Sequence, residues 1–154
     1  MLEDQRKNFD VAADNYRKAL EKDPNSVIAA NNLAWLYAVT GKGNLDEAVR
    51  LAQGAVQQNP NVAGFIDTLG WVYYKKNLHT AAVEQLRKAV SLNEAQSRLA
   101  NAAPSAAYHY HLGMALKGKG DLAESRRELE TAIRLADKSP FADLEEAKKA
   151  LASL

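Results

Sequence analysis

The chain repeats its own residue pattern, and this repetition limits its possible folds more than any other feature of the sequence. An offset of 36 residues superimposes three residues of one segment on identical residues of the next, Leu33, Trp35 and Tyr37 on Leu69, Trp71 and Tyr73. Offsets of 34 and 43 residues extend the match from Ala48 to Ala82 and from Leu69 to Leu112. Insertions between repeats account for the different offsets. A period of about 34 residues is typical of arrays in which each repeat is one structural unit stacked on its neighbours.

Within each repeat, the apolar residues recur with the spacing of an α-helix. Leu33 and Tyr37 lie four residues apart, as do Leu69 and Tyr73 in the next repeat, so that each pair falls on one face of a helix. Small residues, Gly70 among them, occur where the first helix of a pair has to approach the second closely. The chain has only four prolines and eight glycines in 154 residues, and we therefore predict an all-α fold.

These motifs resemble those of the tetratricopeptide repeat (TPR) family. The family pattern begins W-x2-L-G-x2-Y, and the second repeat of this chain reads Ile66-x2-Leu69-Gly70-x2-Tyr73. Two aromatic-rich runs, at 67–74 and 108–116, are similar to the C-terminal repeats of large bacterial TPR proteins. The resemblance implies TPR-type helix-turn-helix repeats that form a right-handed α-α superhelix, in a single domain with a C-terminal capping helix.

Alignment on the family pattern divides the chain into six segments. These are a partial repeat at 8–24, repeats at 27–60, 63–93 and 105–138, a helical insertion or linker at 94–104, and a capping helix at 140–154. The segment Leu92–Asn101 contains no glycine or proline, so we expect it to prolong the preceding helix instead of forming a loop. It is either a tolerated insertion or a protruding element that shapes a binding groove.

The N-terminal segment is predicted to begin within a repeat. Residues Asn8–Lys22 resemble the second helix of a pair, and Met1–Lys7 is too short to supply the first helix. We therefore expect the chain to be a fragment of a longer array. A fragment can lack the export signal of the whole protein, so the location of this soluble protein stays open between the cytoplasm and the periplasm. The uncovered side of this half repeat offers a surface for self-association, formed by Phe9, Ala12, Tyr16 and Ala19.

Composition and spacing argue against several kinds of chemistry. Twenty Lys and Arg against 19 Asp and Glu leave almost no net charge, whereas nucleic-acid-binding proteins carry a basic excess. No apolar run reaches the roughly 20 residues of a membrane-spanning helix, and there is no cysteine. His109 and His111 lie about 200° apart around a helix, so they cannot bind one metal ion together. We predict no catalytic residues, no metal site, no cofactor, no enzymatic activity, no nucleic-acid partner and no membrane insertion.

In TPR proteins, the first helix of each repeat lines the concave side of the superhelix, and its variable positions contact the partner. The resemblance places nine candidate partner-binding residues there: Asn31, Trp35, Asp67, Trp71, Tyr74, Lys75, Tyr110, Met114 and Lys117. Aromatic residues and methionine are enriched in the cores of protein interfaces. In the alternative interpretation, Trp35 and Trp71 pack against the neighbouring repeat. Some family members clamp a C-terminal carboxylate at matching positions, but only Asn32 fits that pattern here, so chaperone tails are not the expected partners.

Together these features predict a scaffold for protein–protein interaction that binds a peptide or a helix of a partner in its concave groove. The alternative is a structural array that self-assembles through its exposed end helices, including a homo-oligomer formed through the N-terminal half repeat. A mass in solution that rises with concentration would favour the second hypothesis. Capture of a foreign peptide by the monomer would favour the first.

Overall fold

The computed structural model describes residues 2–154, and the side chains of residues 8–154. These residues form eight α-helices and no β-strand. The helices are α1 (Leu2–Lys22), α2 (Val27–Thr40), α3 (Leu45–Gln58), α4 (Ala63–Lys75), α5 (His79–Leu99), α6 (Ala106–Lys119), α7 (Leu122–Leu135) and α8 (Leu144–Ala152). The predicted all-α class is confirmed.

The helices form a stack of helix pairs. Helix α2 packs on α3, α4 on α5, and α6 on α7, while α1 packs on α2 and α8 on α7. The first helices of the pairs also contact one another, α2 with α4 and α4 with α6. They therefore lie side by side on one face of the array, which we call the first-helix face. This is the superhelical arrangement of helix pairs that the repeat pattern predicts.

Two glycines allow the helices of a pair to approach each other closely. A methyl group added at Gly70 would lie 2.5 Å from Leu86 Cγ, and one added at Gly113 would lie 2.8 Å from Leu129 Cγ. Both distances are shorter than non-bonded carbon atoms adopt. Leu86 and Leu129 are completely buried, so the two glycines leave room for the largest side chains at the helix contacts. The close helix approach predicted from the sequence is confirmed at both positions.

Helix α5 continues as far as Leu99, which agrees with the prediction that the inserted segment prolongs a helix. Two hydrogen bonds attach this extension to neighbouring parts of the chain. Asn93 Oδ1 accepts from the backbone N–H of Ser105 at 2.7 Å, and Gln96 Nε2 donates to the backbone oxygen of Asn61 at 3.3 Å. The extension is therefore held at the beginning of α6 and at the turn before α4.

The beginning of helix α3 is stabilised by a side-chain cap. Asn44 Oδ1 accepts from the backbone N–H groups of Asp46 at 2.8 Å and Glu47 at 3.3 Å. Replacing Asn44 by alanine should lower the free energy of unfolding by about 1 kcal/mol, because both N–H groups lose their acceptor. Ser26 is the N-cap residue of α2 but makes no such bond, so Ser26→Ala is a matched control. Urea unfolding, followed by circular dichroism, measures the free energy of unfolding of both variants. Equal losses of stability in the two variants would contradict the prediction.

Candidate binding groove on the first-helix face

A depression of about 310 Å³ lies on the first-helix face. Helices α2, α4 and α6 each contribute side chains to it, and the segment that precedes α8 closes one end. The residues that line it are Asn31, Trp35, Gly64, Asp67, Thr68, Ala107, Tyr108, His111, Phe141, Ala142 and Asp143. A single recess on this face therefore involves all three helix pairs and the C-terminal segment.

A buried pair of polar residues forms part of the depression. His111 Nδ1 lies 2.9 Å from both carboxylate oxygens of Asp67, so its N–H group donates a hydrogen bond shared between the two oxygens. Asp67 is 4% exposed and His111 is 3% exposed. The imidazole ring lies 4.3 Å from the ring of Trp71 and 5.5 Å from the ring of Trp35, measured between centroids. Packing between two indole rings fixes the orientation of the imidazole toward Asp67.

An aromatic cluster continues from this pair along the first-helix face. Trp71 stacks on Tyr74 with ring centroids 4.7 Å apart, and it lies 5.9 Å from Tyr110. Tyr110 in turn lies 5.6 Å from Phe141 in the segment before α8. The ammonium group of Lys75 is 5.2 Å from the centre of the Trp71 ring, within the range of a cation–π contact. The cluster gives the depression a rigid backing, because its rings pack on one another.

Two tyrosines beside the depression are held in their neutral form. Burial, assisted by the nearby charge of Asp67, raises the pKa of Tyr108 to about 12. Burial also raises the pKa of Tyr110, with a further contribution from the carboxylate of Asp143. Tyrosine is neutral at pH 7 even with its ordinary pKa, and the upward shifts extend the neutral form of both phenols to more alkaline pH. The two phenols therefore add no negative charge to the site.

The structure places five of the nine predicted partner-binding residues in the depression or directly behind it. Asn31, Trp35 and Asp67 line the depression. Trp71 and Tyr110 are buried and contact the ring of His111. For Trp71, this position agrees with the alternative that the sequence left open, namely packing against the neighbouring repeat.

The other four predicted residues lie elsewhere along the first-helix face. Tyr74 and Lys75 contact Trp71, as described above, and Met114 is partly buried against the main hydrophobic core. The ammonium group of Lys117 lies 3.5 Å from the backbone oxygen of Ala150, at the C-terminal end of α8, where a cation interacts favourably with the helix dipole. That any of the nine residues binds a partner stays a prediction.

Of the lining residues that are not among the nine predicted ones, four carry an aromatic or ionisable side chain: Tyr108, His111, Phe141 and Asp143. Two of them belong to the segment before α8, which the repeat pattern indicates only as part of a cap. The sequence did contain a signal for this segment. The helix that follows the last pair takes the place that the first helix of a further pair would have. Its beginning can then extend the first-helix face.

His109 occupies the position at which the family pattern has tryptophan, and it packs inside the protein. It is 5% exposed, and its Nδ1 lies 2.7 Å from a carboxylate oxygen of Glu128 on α7. Its Nε2 lies 3.6 Å from Glu94 on the extension of α5. His109 thus connects α6 to both neighbouring second helices. Among the residues that the structure describes, no group of three or more His, Cys, Asp and Glu side chains could hold a metal ion.

A larger cavity, of about 850 Å³, lies mainly along α5, which is a second helix. Ile66 and Val83 contribute apolar surface to it, and charged side chains surround them. One of these, Arg87, is already paired with Glu124 at 2.7 Å. The lining contains no aromatic residue and no buried polar pair. We therefore regard the smaller depression, in which both features occur, as the candidate site.

Within residues 2–154, none of the helices combines the length and the apolar character that crossing a membrane requires.

Comparison with known sequences identifies the repeats. Two family models, each described as tetratricopeptide repeat, match residues 2–63 and residues 65–96 and 106–139. Residues 97–105, which separate the two matches of the second model, coincide with the end of α5 and the turn after it. A search among curated proteins finds no match.

Several solved structures share the fold. The MamA protein is 21% identical with a TM-score of 0.68, and the match covers 97% of this chain and 73% of that one. TTC0263, a thermophilic TPR protein of Thermus thermophilus, is 20% identical with a TM-score of 0.67, over 97% and 74% of the two chains. The type III secretion translocator chaperone SycD of Yersinia enterocolitica is 18% identical with a TM-score of 0.66, over 83% and 90%. These likenesses show the fold, and the family models together match most of the sequence. The chain belongs to the tetratricopeptide-repeat family.

Proposed function

We propose that this chain is a scaffold for protein–protein interaction that binds a peptide or a helix of a partner along the first-helix face. The depression is the observation that carries the proposal, because it combines an accessible aromatic side chain with buried polar groups. Trp35 is only partly buried, and it lines the depression beside Asn31 and Asp67. Tryptophan in a recess is the kind of residue that dominates the binding energy of protein interfaces.

The packing behind the depression supports the same function. Trp71, Tyr110 and His111 are buried and contact one another, so they hold the accessible groups in place before a partner arrives. A site whose side chains are already ordered loses little conformational entropy on binding. An extended segment or a helix can lie across α2, α4 and α6 and place one anchoring side chain in the depression.

One of the structures with the same fold supports a role in binding proteins. SycD is described as a translocator chaperone, and a chaperone acts by binding another protein. The proposal for this chain includes no catalysed reaction and no cofactor, because the polar groups of the depression are explained by recognition of a partner.

Self-assembly is a second candidate function, and one observation favours it. Phe9 is 39% exposed and Val11 is 59% exposed on α1, the helix at the N-terminal end of the stack. Apolar side chains in this position could contact a second copy of the chain or another helix pair. Sedimentation measurements at increasing concentration test this alternative independently of any peptide.

The proposed function is tested by selecting peptides from a random display library on the wild-type chain and measuring their affinities by fluorescence anisotropy. Trp35→Ala should weaken binding by at least about tenfold, since a buried tryptophan contact at an interface is worth more than about 1.4 kcal/mol. Trp35→Phe keeps an aromatic ring and should retain part of the affinity.

Leu122→Ala is the matched control, because it removes an exposed apolar side chain from α7, a second helix. Circular dichroism confirms that each variant is folded before its affinity is compared. Equal affinities for the wild type, Trp35→Ala and Leu122→Ala would place the peptide elsewhere. Failure to select any peptide, combined with a mass that rises with concentration, would favour self-assembly.

A further inference from the structure

We propose that the depression binds the guanidinium group of an arginine side chain on the partner. The inference rests on the proposed function and adds the chemical identity of the anchoring residue. Charge, unused hydrogen-bond acceptors and aromatic surface all occur within the same recess, and each of them matches a guanidinium group.

The charge of the depression is negative. Asp67 and Asp143 line it, and its lining includes no lysine or arginine. With histidine counted as neutral, the two carboxylates give the lining a formal charge of −2. The carboxylate of Asp67 receives its only described hydrogen bonds from a histidine and makes no ion pair with a lysine or an arginine of the described residues. A cation from outside the chain would therefore find an uncompensated carboxylate at this position.

The depression also has hydrogen-bond acceptors to spare. Asn31 Oδ1 is buried and has no donor among the described residues, which is a costly state for an amide oxygen. The carboxylate of Asp67 can accept more bonds than His111 Nδ1 alone supplies, since two carboxylate oxygens offer about four lone-pair sites. A guanidinium group carries five N–H donors in one plane, so a single side chain can supply several hydrogen bonds to acceptors in this recess.

Aromatic rings supply the remaining surface. Trp35, Tyr108 and Phe141 line the depression together with the two carboxylates. A guanidinium group is planar and weakly hydrated, so it stacks on aromatic rings more readily than an ammonium group does. Trp71, in the aromatic cluster behind the depression, already contacts one cation, since the ammonium group of Lys75 lies 5.2 Å from its ring. Arginine is therefore the anchoring residue that fits both the rings and the acceptors.

The test uses a small probe that needs no knowledge of the partner. N-acetyl-arginine amide is titrated into the ¹⁵N-labelled chain, and N-acetyl-citrulline amide serves as the neutral match of the same shape. The readout is the indole N–H signal of Trp35, which Trp35→Phe assigns, since the chain has two tryptophans. We expect the arginine probe to shift this signal and to bind at least about tenfold more tightly than the citrulline probe.

Two variants test the carboxylates. Asp67→Asn keeps the shape of the side chain but removes its charge, and should lower the affinity for the arginine probe roughly tenfold. Asp143→Lys reverses an exposed charge without altering the buried pair, so it tests the proposal even if the first variant folds poorly. Its matched control is Asp137→Lys, which makes the same change of charge at an exposed residue outside the depression.

Equal binding of the two probes, or no shift of the Trp35 signal with either, would overturn the assignment of arginine. Peptide binding that depends on Trp35 would still stand in that case, and with it the proposed function. Recognition of the arginine probe without any selected peptide would instead contradict the role of the depression in holding a partner. The two proposals can therefore fail separately.

Discussion

Replacing Leu86 by alanine is expected to lower the free energy of unfolding by about 2–5 kcal/mol, because the removal of a buried leucine side chain leaves a cavity. Leu86 is fully buried between α4 and α5, where a methyl group on Gly70 would lie 2.5 Å from its Cγ atom. The loss is large compared with the roughly 5–15 kcal/mol that stabilises a whole domain. Leu99 lies on the same helix but is 90% exposed, so Leu99→Ala should change stability by no more than about 0.5 kcal/mol.

The contact between Gly70 and Leu86 can be tested further by a double-mutant cycle in urea. Gly70→Ala alone should cost about 1–3 kcal/mol, since the added methyl group overlaps the leucine side chain. In the Leu86→Ala background the methyl group has room, and its cost should be much smaller or absent. A coupling energy of roughly 0.5–3 kcal/mol is expected for residues in contact. Additive effects would show that this contact does not set the distance between the two helices.

The helix pairs and their close contacts could be predicted because their signals are local and repeated. Leu69 and Tyr73 lie four residues apart on a helix, and Gly70 occurs at the same position of its repeat as Ala34 and Gly113. The extension of α5 to Leu99 follows from a segment without glycine or proline. Each of these inferences needs only the period of a helix and the distance between packed helices.

The environment of the two tryptophans could not be predicted from the same pattern. Trp35 and Trp71 occupy equivalent positions of consecutive repeats, yet Trp35 lines the depression and Trp71 is buried. Their difference comes from the stack of helices. Helix α4 has first helices on both sides, α2 and α6, whereas α2 contacts only α4 among the first helices. Among the described helices, Trp71 on α4 is therefore covered by first helices on two sides, and Trp35 on α2 is covered by a first helix on one side.

The polar pair in the depression was also beyond the sequence pattern. Asp67 and His111 are 44 residues apart, and the offset of 43 residues pairs His111 with Thr68 instead. The repeat alignment predicts which helices are neighbours, but it does not predict which side chains of two neighbouring helices meet. The sequence indicates where the segment before α8 lies, but the contact between Phe141 and Tyr110 depends on side-chain packing in the same way.

Replacing His111 by phenylalanine is expected to lower the free energy of unfolding by about 1–3 kcal/mol, the usual cost of leaving a buried acceptor without its donor. Phenylalanine keeps a ring between Trp35 and Trp71, so the loss is not expected to come from packing. It is expected to come from the carboxylate of Asp67, which is 4% exposed and would lose the hydrogen bonds that His111 Nδ1 donates at 2.9 Å.

Two further variants separate the effect of charge from that of shape. Asp67→Asn retains an oxygen that accepts from His111, and should cost less than His111→Phe. The double variant Asp67→Asn/His111→Phe should recover part of the loss, because an unpaired buried amide is less costly than an unpaired carboxylate. Thermal and urea unfolding at neutral pH measure the stability of the two single variants and of the double variant. If His111→Phe is as stable as the wild type, water in the depression already solvates Asp67, and the carboxylate would then have to be desolvated before any cation could bind it.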